Sequence, residues 1–97
     1  MTYDLVFSKY YIKKVKKIVG KNKLLGELIL NKLNELSLNP NNPKLRTHTV
    51  DAMFFGTCNS SRINGDLRII WRYDSNRFTI LNILNIGGHS GTHKVYT

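Results

Sequence analysis

Three histidines, His48, His89 and His93, stand in the polar, Gly- and Asn-rich half of this sequence, in company with Asp66 and the cations Lys44, Arg46, Arg62, Arg68 and Arg72. Imidazole exchanges a proton near neutral pH, and a guanidinium holds two phosphate oxygens in a fixed fork. Such a set suits a phosphate ester. In RNA the 2′-hydroxyl attacks its own neighbouring phosphate if one group takes its proton and another protonates the leaving 5′-oxygen. Cations then stabilise the charge gathering around phosphorus. That reaction needs no metal. Other chemistries fit these residues less well. His89 and His93 are spaced i, i+4, but Ser90-Gly91-Thr92 between them is a poor helix former and no carboxylate or cysteine lies nearby, so no metal site is expected. Gly88-His89-Ser90-Gly91 begins like a G-x-S-x-G nucleophile elbow, yet Thr92 occupies the last glycine position, so a serine hydrolase is not expected.

The elements that must position these groups follow from hydrophobic periodicity. Tyr3-Asp4-Leu5-Val6-Phe7 reads as a short first strand that stops at Ser8, a helix cap. From Lys9 the apolar residues Tyr11, Ile12, Val15, Ile18 and Val19 recur at spacings of three and four, with Lys13, Lys14, Lys16 and Lys17 on the opposite face, which predicts a basic amphipathic helix ending near Gly20. Leu24, Leu25, Leu28, Ile29, Leu33 and Leu36 form a second helical stripe, closed by Asn39-Pro40-Asn41-Asn42-Pro43. The two helices should form a hairpin. Past Pro43 the texture turns β-branched and aromatic, as in short antiparallel strands. Asn64-Gly65 between apolar positions predicts a type I′ hairpin turn. Leu67–Tyr73 and Phe78–Ile86 read as two long strands at the centre of the sheet, joined around Asp74-Ser75-Asn76-Arg77, and the Gly-rich tail from Gly87 reads as a loop. The expected fold is α+β: an N-terminal strand and a helical hairpin packed on one face of a small antiparallel sheet whose other face is open to a ligand.

Composition bounds the function. The 97 residues carry 15 Lys+Arg against 6 Asp+Glu, a net charge of +9. This length supports one core and hence a single domain over 1–97. A 41% hydrophobic fraction with ten aromatics (four Phe, one Trp, five Tyr) is enough to build it. The lone Cys58 makes no internal disulfide and no Cys-rich zinc site, which points to a reducing, cytoplasmic setting. The N-terminus has no secretory pattern and no stretch approaches the roughly 20 apolar residues that cross a bilayer, so no membrane anchor is expected. Without a signal peptide, the Asn59-Ser60-Ser61 sequon is set aside. The positive excess attracts phosphate backbones, acidic proteins or anionic lipid surfaces. Lys13, Lys14, Lys16, Lys17, Lys44, Arg46 and Arg72 are the candidate RNA-binding residues.

The order of these elements, with Leu45-Arg46-Thr47-His48, then Arg62-Ile63-Asn64-Gly65-Asp66-Leu67-Arg68-Ile69-Ile70-Trp71, then Ile86-Gly87-Gly88-His89 and His93-Lys94-Val95-Tyr96, resembles the RelE/ParE superfamily of bacterial type II toxin-antitoxin toxins over nearly the whole chain. Its histidines look most like the YafQ branch. The resemblance implies a microbial-RNase-like α+β domain that cuts mRNA in the ribosomal A site without a metal or other cofactor. It also implies an acidic antitoxin that covers the basic face, and the 70S ribosome and mRNA as further partners. His48 matches a histidine of the YafQ pattern and Asp66 that branch's acid. Arg62 stands where YafQ-like toxins place a second histidine, closer to the arginine of RelE-like members. The branch's terminal histidine lies four residues before an aromatic, whereas Tyr96 lies three after His93 and seven after His89, so both histidines stay candidates for the C-terminal acid or base. Tyr96 would stack on a base. The candidate catalytic set is thus His48, Arg62, Asp66, Arg68, His89, His93 and Tyr96. The alternative is a ParE-like toxin that binds DNA gyrase and does no chemistry. The three histidines and Asp66 favour the nuclease, since a binding inhibitor needs no titratable groups there.

Overall fold

A computed structural model describes residues 2–52 and 54–88 of the chain. The elements run β1 (Asp4–Phe7), α1 (Lys9–Val19), α2 (Lys23–Leu38), a 3₁₀ turn (Pro43–Leu45), β2 (His48–Ala52), β3 (Gly56–Arg62), β4 (Leu67–Tyr73) and β5 (Ile80–Gly88). The five strands form one sheet in the order β1-β5-β4-β3-β2. β2 to β5 are antiparallel neighbours, and β1 lies parallel to β5, with Leu5 beside Leu81. The parallel pair departs from an all-antiparallel sheet. The helices carry the chain from β1 to β2 at the far edge, and the three reversals from β2 to β5 bring β5 alongside β1 in the same direction.

Local chemistry explains the helix ends. The Ser8 hydroxyl accepts from the Tyr11 N–H at 3.1 Å and donates to the Leu84 carbonyl, so one side chain caps α1 and fastens it to β5. α1 closes at Gly20, which adopts φ 53°. Asn22 caps α2 by accepting from the Leu25 N–H at 3.1 Å. The helices cover one face of the sheet. Tyr11, Ile29, Leu33 and Leu36 pack there against Leu67, Ile69, Trp71, Leu81, Ile83 and Ile86.

Four expectations are corrected. The Asn64-Gly65 turn is not type I′: the only positive φ values among the described residues are at Gly20, Arg46 and Gly56. Asn64 instead turns the chain with its side chain, whose Oδ1 accepts from the N–H groups of Asp66 and Leu67 at 2.9 and 2.7 Å. β5 begins at Ile80 rather than Phe78, which is 75% exposed. The Asp74 carboxylate holds the turn before it, accepting from the N–H groups of Asn76 and Arg77. Gly87 and Gly88 belong to β5, paired with Arg68 and Leu67, and both are buried. Finally, the sheet's second face is open at only one end. Ala52, Cys58, Ile70 and Leu84, with Val50 and Phe55, make a small apolar cluster over the rest of it.

Candidate active site

Strand alternation sorts the candidate residues between the two faces. On β2 and β3, His48 lies opposite Ser60 and Val50 opposite Cys58; on β3 and β4, Arg62 lies opposite Arg68 and Ser60 opposite Ile70. His48, Ser60, Arg62 and Arg68 therefore share the face that the helices leave open, in two adjacent rows. Diagonal neighbours on one sheet face are separated by roughly 7–8 Å, and His48 and Arg62 are such a pair, with Arg68 directly across from Arg62.

Each of these side chains is held. Arg62 donates from Nε to the Asn64 carbonyl at 3.0 Å, and Arg68 donates to the same carbonyl at 2.8 Å and to that of Leu67 at 3.0 Å. One turn carbonyl thus anchors two guanidiniums and leaves their remaining N–H groups to a ligand. His48 is exposed at the β2 edge, with Nδ1 3.3 Å from the Arg46 carbonyl. With Nδ1–H donating there, Nε2 is the nitrogen available as a base. Arg46 presents that carbonyl because it sits in the left-handed region (φ 47°, ψ 45°), with its N–H on the Pro43 carbonyl.

Asp66 lies at the corner where β4 starts. Its carboxylate fills the space above Gly88: a Cβ at position 88 would come within 2.5 Å of Asp66 Oδ2 and 2.8 Å of Oδ1. A glycine is therefore required at position 88 for the acid to lie against β5. His89, His93 and Tyr96 lie outside the described residues. Gly88, the last of the described residues, is the one that meets Asp66.

The remaining cations divide. Lys44 and Arg46 are exposed on the loop that leads into His48. Arg72 shares the open face at the other end of β4, donating to the Phe55 carbonyl at 2.9 Å. There it lies beside Cys58, whose thiol burial pushes up while the Arg72 guanidinium pulls it down. Lys13, Lys14, Lys16 and Lys17 are on α1, which packs on β5 across the sheet from His48 and Arg62. Tyr10 in the first turn of the same helix packs edge-on against Phe55, whose carbonyl holds Arg72, so α1 reaches the Arg72 end of the open face. Burial lowers the Lys14 ammonium's affinity for its proton.

Sequence reasoning missed the buried support of the site. The Trp71 indole N–H donates to the Ser61 hydroxyl at 2.7 Å, and Ser61 and Thr47 share a hydrogen bond at 2.6 Å. This chain of three ties the residue before His48 to the centre of the sheet. Its only trace in the sequence is the Ser60-Ser61 pair inside an otherwise strand-like run. Ser61 is 1% exposed, so the hydroxyl of the apparent sequon is part of the core.

No family model matches the sequence, and no curated protein matches it. Solved structures do match the fold. One chain of the archaeal RelE–RelB complex from Pyrococcus horikoshii OT3 superposes with a TM-score of 0.69 at 18% identity, covering 95% of this chain and 100% of that one. The toxin-antitoxin complex RelBE2 from Mycobacterium tuberculosis gives 0.63 at 20% identity, covering 91% and 99%. The E. coli DinJ–YafQ toxin-antitoxin complex gives 0.57 at 18% identity, covering 92% and 94%. The chain has the RelE-like fold.

Proposed function

We propose, with the RelE-like fold as premise, that this chain is the toxin of a type II toxin-antitoxin system and an endoribonuclease that cuts mRNA in the ribosomal A site. The observation that carries the reading is the grouping of His48, Arg62 and Arg68 on the one sheet face that the helices do not cover. His48 Nε2 takes the proton of the 2′-hydroxyl, whose oxygen attacks the adjacent phosphorus. Arg62 and Arg68 hold the non-bridging oxygens as negative charge builds on them. The bond to the 5′-oxygen breaks, that oxygen receives a proton from Asp66 or from His89 or His93, and the products are a 2′,3′-cyclic phosphate and a 5′-hydroxyl. Tyr96 stacks on a base of the bound codon. Lys44 and Arg46 at the site, Arg72 on its far side, and Lys13, Lys14, Lys16 and Lys17 on the opposite face bind ribosomal RNA phosphates, which gives affinity its salt dependence. The place of action is the cytoplasm.

The antitoxin is an acidic protein. A groove of about 630 Å³ between α1 and α2, lined by Phe7, Tyr11, Ile12, Val15, Val19 and Leu30 and bordered by Lys16, seats an antitoxin helix with an apolar ridge and acidic flanks. Leu30 is 65% exposed without such a partner.

The test is primer extension on a reporter mRNA in a reconstituted translation reaction, with and without ribosomes. Cuts within codons should appear only with ribosomes, and His48→Ala and the Arg62→Ala, Arg68→Ala double variant should each cut at least 100-fold more slowly, the scale of a lost acid–base or charge-stabilising group. Intact mRNA in every lane, with DNA supercoiling by gyrase arrested, would overturn the reading in favour of a ParE-like inhibitor.

A further inference from the structure

Beside His48, around the free edge of β2, lies a second cavity that the cleavage chemistry does not use. It is a polar recess of about 430 Å³ lined by Asn41, Asn42, Arg46, Thr47, Thr49 and Asn59, with His48 at its rim. Volumes of roughly 300–1,000 Å³ are typical of small-molecule sites. Some of its polar groups are spent on holding the loop: Asn42 Oδ1 accepts from the Lys44 N–H at 3.0 Å, and the Thr47 hydroxyl is bonded to Ser61. Others have no such duty. The side-chain amides of Asn41 and Asn59, the Thr49 hydroxyl and the Arg46 guanidinium have no hydrogen-bond partner among the described residues. Thr49 and Asn59 are cross-strand neighbours, so their side chains stand together on one face, opposite to the face that carries His48.

The lining contains the Arg46 cation, no carboxylate and three amides, of which those of Asn41 and Asn59 each offer donors and an acceptor. That composition repels a metal ion and matches the edge of a nucleobase, which presents both donors and acceptors. A guanidinium plane is also one of the surfaces on which an unstacked RNA base lies. The Arg46 backbone is fixed in the left-handed region, its N–H on the Pro43 carbonyl and its own carbonyl at the His48 ring, while its guanidinium is left to meet a ligand. We infer that the recess seats one nucleobase of the strand whose scissile phosphate lies over Arg62 and Arg68, with Asn59 on the base edge and Arg46 across its face. The inference rests on the ribonuclease reading for the strand's path, while the recess as a nucleotide site stands on its own lining. The strand folds over the β2 edge, and the base next to the cut is read on the side of β2 away from His48.

Two measurements separate this inference from the reading it rests on. The full-length chain, labelled with 15N, is titrated with each of the four ribonucleoside 3′-monophosphates and with inorganic phosphate. At least one nucleotide should shift the Thr49 and Asn59 amide signals saturably, with phosphate failing to reproduce the pattern. Asn59→Ala and Thr49→Ala should each weaken that binding about tenfold while the remaining spectrum keeps its dispersion. No shift at Thr49 or Asn59 with any nucleotide, or the same shifts with phosphate alone, overturns the inference. In the ribosome reaction, the ratio of cuts beside favoured and disfavoured bases should fall toward one in both variants, and an unchanged ratio also overturns it. A wild-type chain that leaves mRNA intact yet binds a nucleotide at Thr49 and Asn59 defeats the ribonuclease reading and keeps the recess as a nucleotide site.

Discussion

Replacing Ser61 with alanine should cost far more than the loss of one hydroxyl suggests. Trp71 is 1% exposed and its indole N–H has Ser61 Oγ as its acceptor at 2.7 Å. Without that oxygen the donor stays buried and unpaired, a penalty of about 1–3 kcal/mol. The half-buried Thr47 hydroxyl also loses its partner, but it can turn to water and adds little. We expect about 2 kcal/mol of destabilisation. A domain of this size loses roughly 4–8 °C in Tm per kcal/mol, so the melting point should fall by roughly 8–16 °C. Urea unfolding of wild type, Ser61→Ala, Trp71→Phe and the double variant separates the bond from the packing. The double variant should cost less than the two single changes together by about 1 kcal/mol, because the indole N–H can be left unpaired only once. Because Thr47 precedes His48, the His48 ring signals should also shift in Ser61→Ala. A cost within about 0.5 kcal/mol, with additive single changes, would refute the claim that this buried chain supports the site.

Three further outcomes follow from other contacts. Gly88→Ala puts a methyl group where the exposed Asp66 carboxylate lies, so that carboxylate should swing aside at a cost below about 1 kcal/mol and the Asp66 side-chain NMR signals should move; unchanged Asp66 signals would show that the acid does not lie on Gly88. Burial pushes the Tyr11 hydroxyl from 10.0 up to about 12, so the folded chain holds that proton more tightly than the unfolded one. Its contribution is whole below pH about 10 and is lost as pH rises toward 12, on the order of 2–3 kcal/mol. Tyr11→Phe should therefore flatten the alkaline fall in urea midpoint between pH 8 and 11, and identical slopes would contradict this. The buried Cys58 thiol, raised above its ordinary range, should react with a disulfide reagent at pH 8 at least about tenfold more slowly folded than in urea, and equal rates would place it on the surface.

Much of the fold was legible because its signals are local. The three-and-four spacing from Tyr11 to Val19 and the Ser8 cap mark α1, and Leu24 to Leu36 marks α2. His48, Arg62 and Arg68 stand out in the sequence by residue type alone; that they share a sheet face follows from the pairing of β2, β3 and β4. What the sequence did not disclose depends on contacts between distant segments. That β1 runs parallel to β5 is decided by the three strand reversals between β2 and β5, and that Gly87 and Gly88 continue β5 is decided by their pairing with Arg68 and Leu67 on β4. The turn was placed correctly but its conformation was not. Asn-Gly favours positive φ, yet here Asn64 gains two N–H hydrogen bonds to its side chain and offers its carbonyl to two arginines. Those four bonds, all made within the hairpin, outweigh the Asn-Gly preference for positive φ.

That choice at Asn64 ties turn geometry to chemistry. A guanidinium left free in water loses side-chain entropy when it grips a phosphate, whereas one already bonded to a fixed carbonyl has lost much of that freedom beforehand. Arg62 and Arg68 are cross-strand neighbours of like charge, an arrangement that is unfavourable by itself. The shared Asn64 carbonyl offsets part of that repulsion, and a phosphodiester between the two would remove more of it. Repulsion relieved only when an anion binds adds to the affinity for that anion, and relief grows as charge accumulates on the phosphoryl oxygens during the reaction. The exposed helix lysines Lys13, Lys16 and Lys17 have no cross-strand cation of this kind beside them on a shared carbonyl. On the function proposed above, position on the open face, rather than positive charge as such, is what sets Arg62 and Arg68 apart from the helix lysines.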